Sequence, residues 1–170
     1  MTSRIKRPIR VVGDLAHVPL TRGYEAVIDA SDVPLVDGFN WYARPHRKTV
    51  YALRNDYSGE SPKTVFLHRV IAKTPDGLQT DHIDGNGLNN RRSNLRHASV
   101  NENQFNRPAY KTNKIGLKGV SWLKVAGKWA AQIQAHGKKH HLGRFDCPKQ
   151  AHRAYVAASK KLHGSFSRAK

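Results

Sequence analysis

At 170 residues, with 38% hydrophobic content in short interspersed runs, the chain can bury one moderate core or two small ones and is not a disordered tail. Thirty Lys and Arg against twelve Asp and Glu give a net charge of +18, spread from end to end, which is the footprint of a nucleic-acid ligand. One cysteine, Cys147, excludes an internal disulfide and a cysteine-rich zinc knuckle, and no apolar run approaches the roughly 18 residues needed to cross a bilayer.

From the polar, basic N-terminus, residues 1–60 alternate apolar and polar over short runs (Val18 to Leu20, Ala26 to Ile28, Val50 to Leu53) broken at Arg22-Gly23 and Ser58-Gly59. This pattern predicts antiparallel β-structure with tight turns. Lys63 to Leu67 reads as the return strand of a hairpin begun at Thr49.

The stretch from His68 to Asn103 carries the most chemistry. Gln79 to Ile83 can end a strand that presents Asp81 and His82 at its tip, Asp84-Gly-Asn-Gly87 supplies a turning loop, and a second short strand would contain Asn94 to Arg96. Ser99-Val-Asn-Glu102 has the spacing of a capping box and predicts a helix beginning at Ser99, with Asn103 one turn inside it. Carboxylate and carboxamide oxygens are hard ligands for Mg²⁺, and a neutral imidazole accepts a proton near pH 7. Such a set can hydrolyse a polyanion.

The run DHIDGN, followed by NNRRSNLR and NENQ, resembles the HNH nuclease motif on the ββα-metal fold, in the form found in phage and intron-encoded homing endonucleases. The resemblance implies His82 as general base, Asp81 and Asn103 as the protein ligands of one divalent cation (Mg²⁺ or Mn²⁺), and Asn94 as the residue that orients the base histidine. His68, Arg69, Asn90, Arg91 and Arg96 also fall on positions it suggests for auxiliary or phosphate contacts. It implies an endonuclease that nicks or cuts double-stranded DNA, leaves 5′-phosphate and 3′-hydroxyl ends, and binds its cation modestly before DNA arrives. A DNA-binding regulator on a decayed nuclease fold is the alternative, and an RNA-directed nuclease the third. The expected setting is the cytoplasm of a host cell, as a monomer without membrane association or small-molecule cofactor.

Residues 107–115, polar, basic and interrupted by Pro108, read as a linker. Beyond it Trp129, Ala131, Ile133 and Ala135 alternate with Lys128, Ala130, Gln132 and Gln134, which makes a strand with one apolar face. A second strand, Lys138 to Phe145, turns out of His136-Gly137. Pro148 then opens a helix expected to bury Ala151, Ala154, Tyr155, Ala158 and Leu162. Lys118, Lys124, Lys128, Lys138 and Lys139 are cations for phosphate, and His136, His140, His141 and His163 are expected at the surface or facing phosphate.

Through KGVSW, GKWAAQI, LGRFD and AHRAY this unit resembles the Apetala-two/ethylene-response-factor DNA-binding domain. That likeness implies a three-stranded sheet in the major groove, with Ser121, Lys124, Lys128, Gln132, Gln134, Lys139 and His141 toward DNA and Trp122 and Trp129 on the helix-facing side. The chain is therefore expected to be α+β. A β-rich N-terminal segment (1–60) precedes a ββα-metal core (61–106), the linker, and a three-stranded antiparallel sheet packed on one helix (116–170).

Overall fold

Short alternating runs become short strands in the computed structural model, which describes residues 6–107, 113 and 115–168. Most of the expected linker, 108–112 and 114, lies outside the described residues. The fold is α+β and divides into two units, Met1–Ser99 and Val100–Lys170. Among the described residues no helix is long and apolar enough to cross a membrane.

In the first unit, β1 (Arg10–Val12), β2 (Leu15–Pro19) and β3 (Glu25–Asp29) form an antiparallel meander. Ala16 and Val18 of β2 lie opposite Ile28 and Ala26 of β3, so alternation puts four buried apolar side chains on one face. The β2–β3 turn falls at Arg22 and Gly23, both with positive φ. One helical turn, α1 (Val33–Val36), adds Val36, whose carbonyl accepts from Trp41 Nε1 at 3.0 Å.

A second sheet, β4 (Tyr42–His46), β5 (Thr49–Asp56) and β6 (Lys63–Phe66), leads directly into α2 (Leu67–Ala72). Leu67 and Ile71, four apart, point into one core with Val18, Ile28, Val36 and Trp41. Each such buried side chain contributes roughly 1.5–3 kcal/mol. The intervening His68 faces elsewhere, and Lys73, in the left-handed region, ends the helix. The hairpin β7 (Gln79–His82) and β8 (Leu95–Ala98) completes the unit. Asn94 precedes the second strand, in a single 3-10 turn.

The second unit begins with α3 (Val100–Phe105), directly after Ser99. Its sheet has the order β11-β10-β9, from β9 (Val120–Leu123), β10 (Lys128–Ala135) and β11 (Lys138–Phe145). α4 (Pro148–His163) packs behind. Its buried stripe differs from the expected one: Ala151, Tyr155, Ser159 and His163 are covered, while Ala158 and Leu162 are only partly so. A strict i, i+4 row wins because the two polar members satisfy one another, Ser159 Oγ lying 3.2 Å from His163 Nδ1. Gly119 permits the close fit, since a Cβ there would lie 2.0 Å from the Tyr155 ring. His163, expected at the surface, is buried.

Candidate active site

The loop between β7 and β8 is fixed by its own short polar side chains. Asp84 Oδ1 accepts from Asn86 N at 2.7 Å and Asn94 Nδ2 at 3.0 Å, and Oδ2 accepts from Asn89 Nδ2 at 2.8 Å. Burial pushes the Asp84 carboxyl up, but these hydrogen bonds outweigh it and hold the group below the usual carboxylate range. Asn94 Oδ1 accepts from Asp84 N at 3.1 Å, and its Nδ2 also donates to Asn89 O at 2.8 Å. All of these Asn94 bonds go to the loop.

The first sheets hold the loop from outside. Val27 of β3 donates to Leu88 O at 2.8 Å and accepts from Asn90 N at 2.7 Å. Asp29 accepts from Arg91 Nε at 3.1 Å and Arg92 N at 2.8 Å, and Asp32 receives the Arg92 guanidinium at 2.6–3.0 Å. Gly87 N donates to Thr49 Oγ1 at 2.7 Å, and a Cβ on Gly87 would lie 2.5 Å from Val50 O, so only glycine allows this approach.

His82, 5% exposed, stands at the end of β7 with Nε2 3.3 Å from Asn90 Oδ1. The fully buried Asn90 amide is oriented by its own Nδ2, which donates to Gly87 O at 3.4 Å, so the atom facing the imidazole is an acceptor. It follows that Nε2 carries the proton and Nδ1 is the basic nitrogen. Burial lowers the His82 pKa, outweighing Asn90, Asp84 and Asp81, which raise it. The imidazole is neutral at pH 7.

His68, buried on α2, meets His82 edge-on at 5.1 Å and stacks on Phe66 at 5.2 Å. Burial, then the charges of His82 and Arg69, lower its pKa to about 3. Its Nδ1 is buried without a hydrogen-bond partner among the described residues. Tyr51 closes the cluster, with its ring 5.8 Å from His82 and 5.5 Å from His68, and burial and then Asp81 push its hydroxyl up. Sequence reasoning passed over Tyr51, where the only signal was a place in an alternating strand remote from the motif.

Asp81 faces Arg96 across the hairpin, and Arg96 Nε and Nη2 approach Asp81 Oδ2 at 2.8 and 2.6 Å. A buried carboxylate beside a neutral imidazole fits a hard divalent cation, with Arg96 sharing the anion. No group of three or more His, Cys, Asp or Glu converges among the described residues, so further ligands would be carboxamide, water or phosphate oxygens. Asn103, the second expected ligand, lies on α3 in the second unit. Arg69, expected near phosphate, donates to the carbonyls of Leu78, Thr74 and Pro75 and braces the α2–β7 connection, because helix and loop ends leave those acceptors unpaired.

In the second unit, the register puts Ser121, Lys128, Gln132, Gln134, Lys139 and His141 on the sheet face away from α4. A bulge at Ala131/Gln132 gives β11 one extra residue and turns Arg144 onto that face beside Ala130. Uninterrupted alternation had hidden Arg144. Lys124 is exposed in the β9–β10 turn, and Lys128 is ion-paired to Asp146. Lys118, expected at phosphate, donates to the carbonyls of Phe105, Arg107 and Arg168, because the end of α3 and the stretch after α4 present acceptors there. Trp129 packs toward α4, whereas Trp122, opposite it on the short edge strand, is 49% exposed because α4 lies mainly over β10 and β11.

An HNH endonuclease family model matches residues 65–105, which run in sequence from β6 to α3. Protein 3.8 of Escherichia phage T7 is 40% identical over 94 residues, covering 55% of this chain and 77% of that protein. A mimivirus protein of Acanthamoeba polyphaga mimivirus, called an uncharacterized HNH endonuclease (L560), is 29% identical over 148 residues, covering 86% of this chain and 74% of its own. No solved structure matches the chain.

Proposed function

The chain belongs to the HNH endonuclease family, and we propose that it is a metal-dependent endonuclease of the homing type that hydrolyses phosphodiester bonds in double-stranded DNA. The observation that carries this reading is the buried, neutral His82, its tautomer set by Asn90, directly beside the Asp81 carboxylate.

His82 Nδ1 takes the proton of a water molecule as that water's oxygen attacks phosphorus in line with the 3′-oxygen. The phosphorus–oxygen bond to that 3′-oxygen breaks, leaving a 5′-phosphate and, after protonation, a 3′-hydroxyl. Asn90 keeps Nε2 protonated, so the basic lone pair stays on Nδ1. Asp84, Asn89 and Asn94 hold the loop that holds Asn90. Asp81, with Asn103 as the second protein ligand that the family pattern implies, would hold a divalent cation, which supplies charge stabilisation at the scissile phosphate and the leaving oxygen. Arg96 is ion-paired with Asp81 and so lies beside the proposed cation position.

The second unit serves in this reading as an Apetala-two-like DNA reader, supported by the polar face of its sheet. Gln132 and Gln134 can pair with adenine edges, while Lys124, Lys139, His141 and Arg144 suit phosphate. Supercoiled plasmid with Mg²⁺, with and without chelator, tests the function: nicked or linear product that disappears with chelator, and with His82→Ala, is expected. DNA binding without metal-dependent cleavage by the unaltered protein would sink the reading in favour of a regulator on a decayed nuclease fold.

A further inference from the structure

Six residues make too short a helix to persist in water unless something packs on it. Within the second unit, His163 and Lys118 pack on α3. The Phe105 ring lies flat on the His163 imidazole, with centroids 3.8 Å apart and planes within 6°. Lys118 Nζ donates to Phe105 O at 2.7 Å and Arg107 O at 2.6 Å, satisfying carbonyls that a helix end leaves open, and reaches Arg168 O at 3.4 Å. Burial, then Arg168, lower the Lys118 pKa to about 8, which still leaves the ammonium mostly protonated at pH 7.

His163 is anchored in turn. Its Nε2 lies 2.9 Å from Gln134 O, a group that can only accept, so Nε2 carries the proton, and Nδ1 meets Ser159 Oγ at 3.2 Å. Gln134 lies in β10 with its side chain on the open face. One residue thus offers its amide to DNA and its carbonyl to the histidine that stacks on α3.

We propose that Lys118 and His163 are positioning residues for cleavage: they clasp α3, and with it Asn103, into the DNA-reading unit. A base contact at Gln134 then bears on the helix that carries the last motif residue. The inference rests on the role given to Asn103 above. Truncation near Thr112 is accordingly expected to loosen α3, because Lys118 and His163 lie beyond that point.

The test uses full-length Lys118→Met and His163→Gln, which attack the clasp from two sides, with Lys118→Arg as the conservative variant and Asn103→Ala as reference. Hydrogen exchange over 100–107 should quicken about tenfold in the first two and recover in Lys118→Arg. The Mg²⁺ concentration for half-maximal single-turnover cleavage should rise about tenfold in step, as it does when a ligand's support is lost. DNA affinity should stay within about threefold, since Lys118 faces carbonyls and displaces few counterions. Unchanged exchange, or faster exchange with an unchanged Mg²⁺ response, overturns the proposal. If Asn103→Ala itself responds to Mg²⁺ like the unaltered protein, the role of Asn103 has failed, and exchange alone still decides whether the clasp exists.

Discussion

The loop around His82 and the open sheet face of the second unit are both dense in polar side chains, yet they handle water in opposite ways. Near His82, Asn90, Asn94 and Asp81 are buried and bonded to one another's neighbourhood, and both histidines have lowered pKa values. On the sheet, Gln134, Lys139, His141 and Arg144 stay exposed. A general base needs one tautomer and one charge state, which burial and fixed acceptors supply. A groove reader must trade water for bases and phosphates, so its donors have to remain wet. On the function proposed above, removing water prepares the chemistry and keeping it prepares recognition.

The contrast breaks most visibly at His82. His82→Ala should lower the cleavage rate by about 10²–10⁴-fold while DNA binding holds. Single-turnover rates and filter binding on the same substrate decide it, and undiminished cutting at pH 7 removes His82 from the mechanism.

Acid should separate the regions next. His68 and His82 have folded pKa values below the unfolded 6.5, so the unfolded chain binds more protons once pH falls under that value. Stability should drop below pH 6.5, for His68 down to about pH 3, by at most about 1.4 kcal/mol per pH unit for each histidine. Denaturant unfolding at pH 7 and pH 5 measures the loss, which should be smaller in His68→Phe. An identical loss in that variant assigns the acid sensitivity to other groups.

A finer division lies within the loop. Asn90→Ala should cut kcat by about 10–100-fold with KM little changed, and Asn90→Asp should retain the proton on Nε2 while moving the acid limb of the pH–rate profile upward. If Asn94→Ala moves that limb as Asn90→Asp does while thermal stability is unchanged, the orienting role belongs to Asn94.

The smallest effects belong to the sheet. Gln132→Ala or Gln134→Ala should relax preference at one base about tenfold. Lys128→Ala should change affinity by less than about threefold, because its ammonium is already paired with Asp146 in an exposed bridge. Binding selections on randomised duplexes rank the three, and a Lys128 effect above the glutamines reverses the reading of that face.

Much of this was legible in sequence because its physics is local. Alternation with period two marked β10, the positive-φ pair His136-Gly137 marked the turn into β11, and Asp81-His82 with the following asparagines marked the loop. What tertiary structure alone decided is pairing across long separations. Nothing near Asn90 in sequence says that it, and not Asn94, reaches the imidazole, because only the folded loop brings Asn90 Oδ1 to Nε2. Tyr51 joins the cluster through β5, and a single bulged residue reverses Arg144. Lys118 reads as a phosphate cation and His163 as a surface or phosphate-facing residue until a helix end and an aromatic ring are laid against them. Periodicity and turn chemistry act within a few bonds, whereas a hydrogen-bond partner or a stacked ring is set by the distance between elements, which no local pattern encodes.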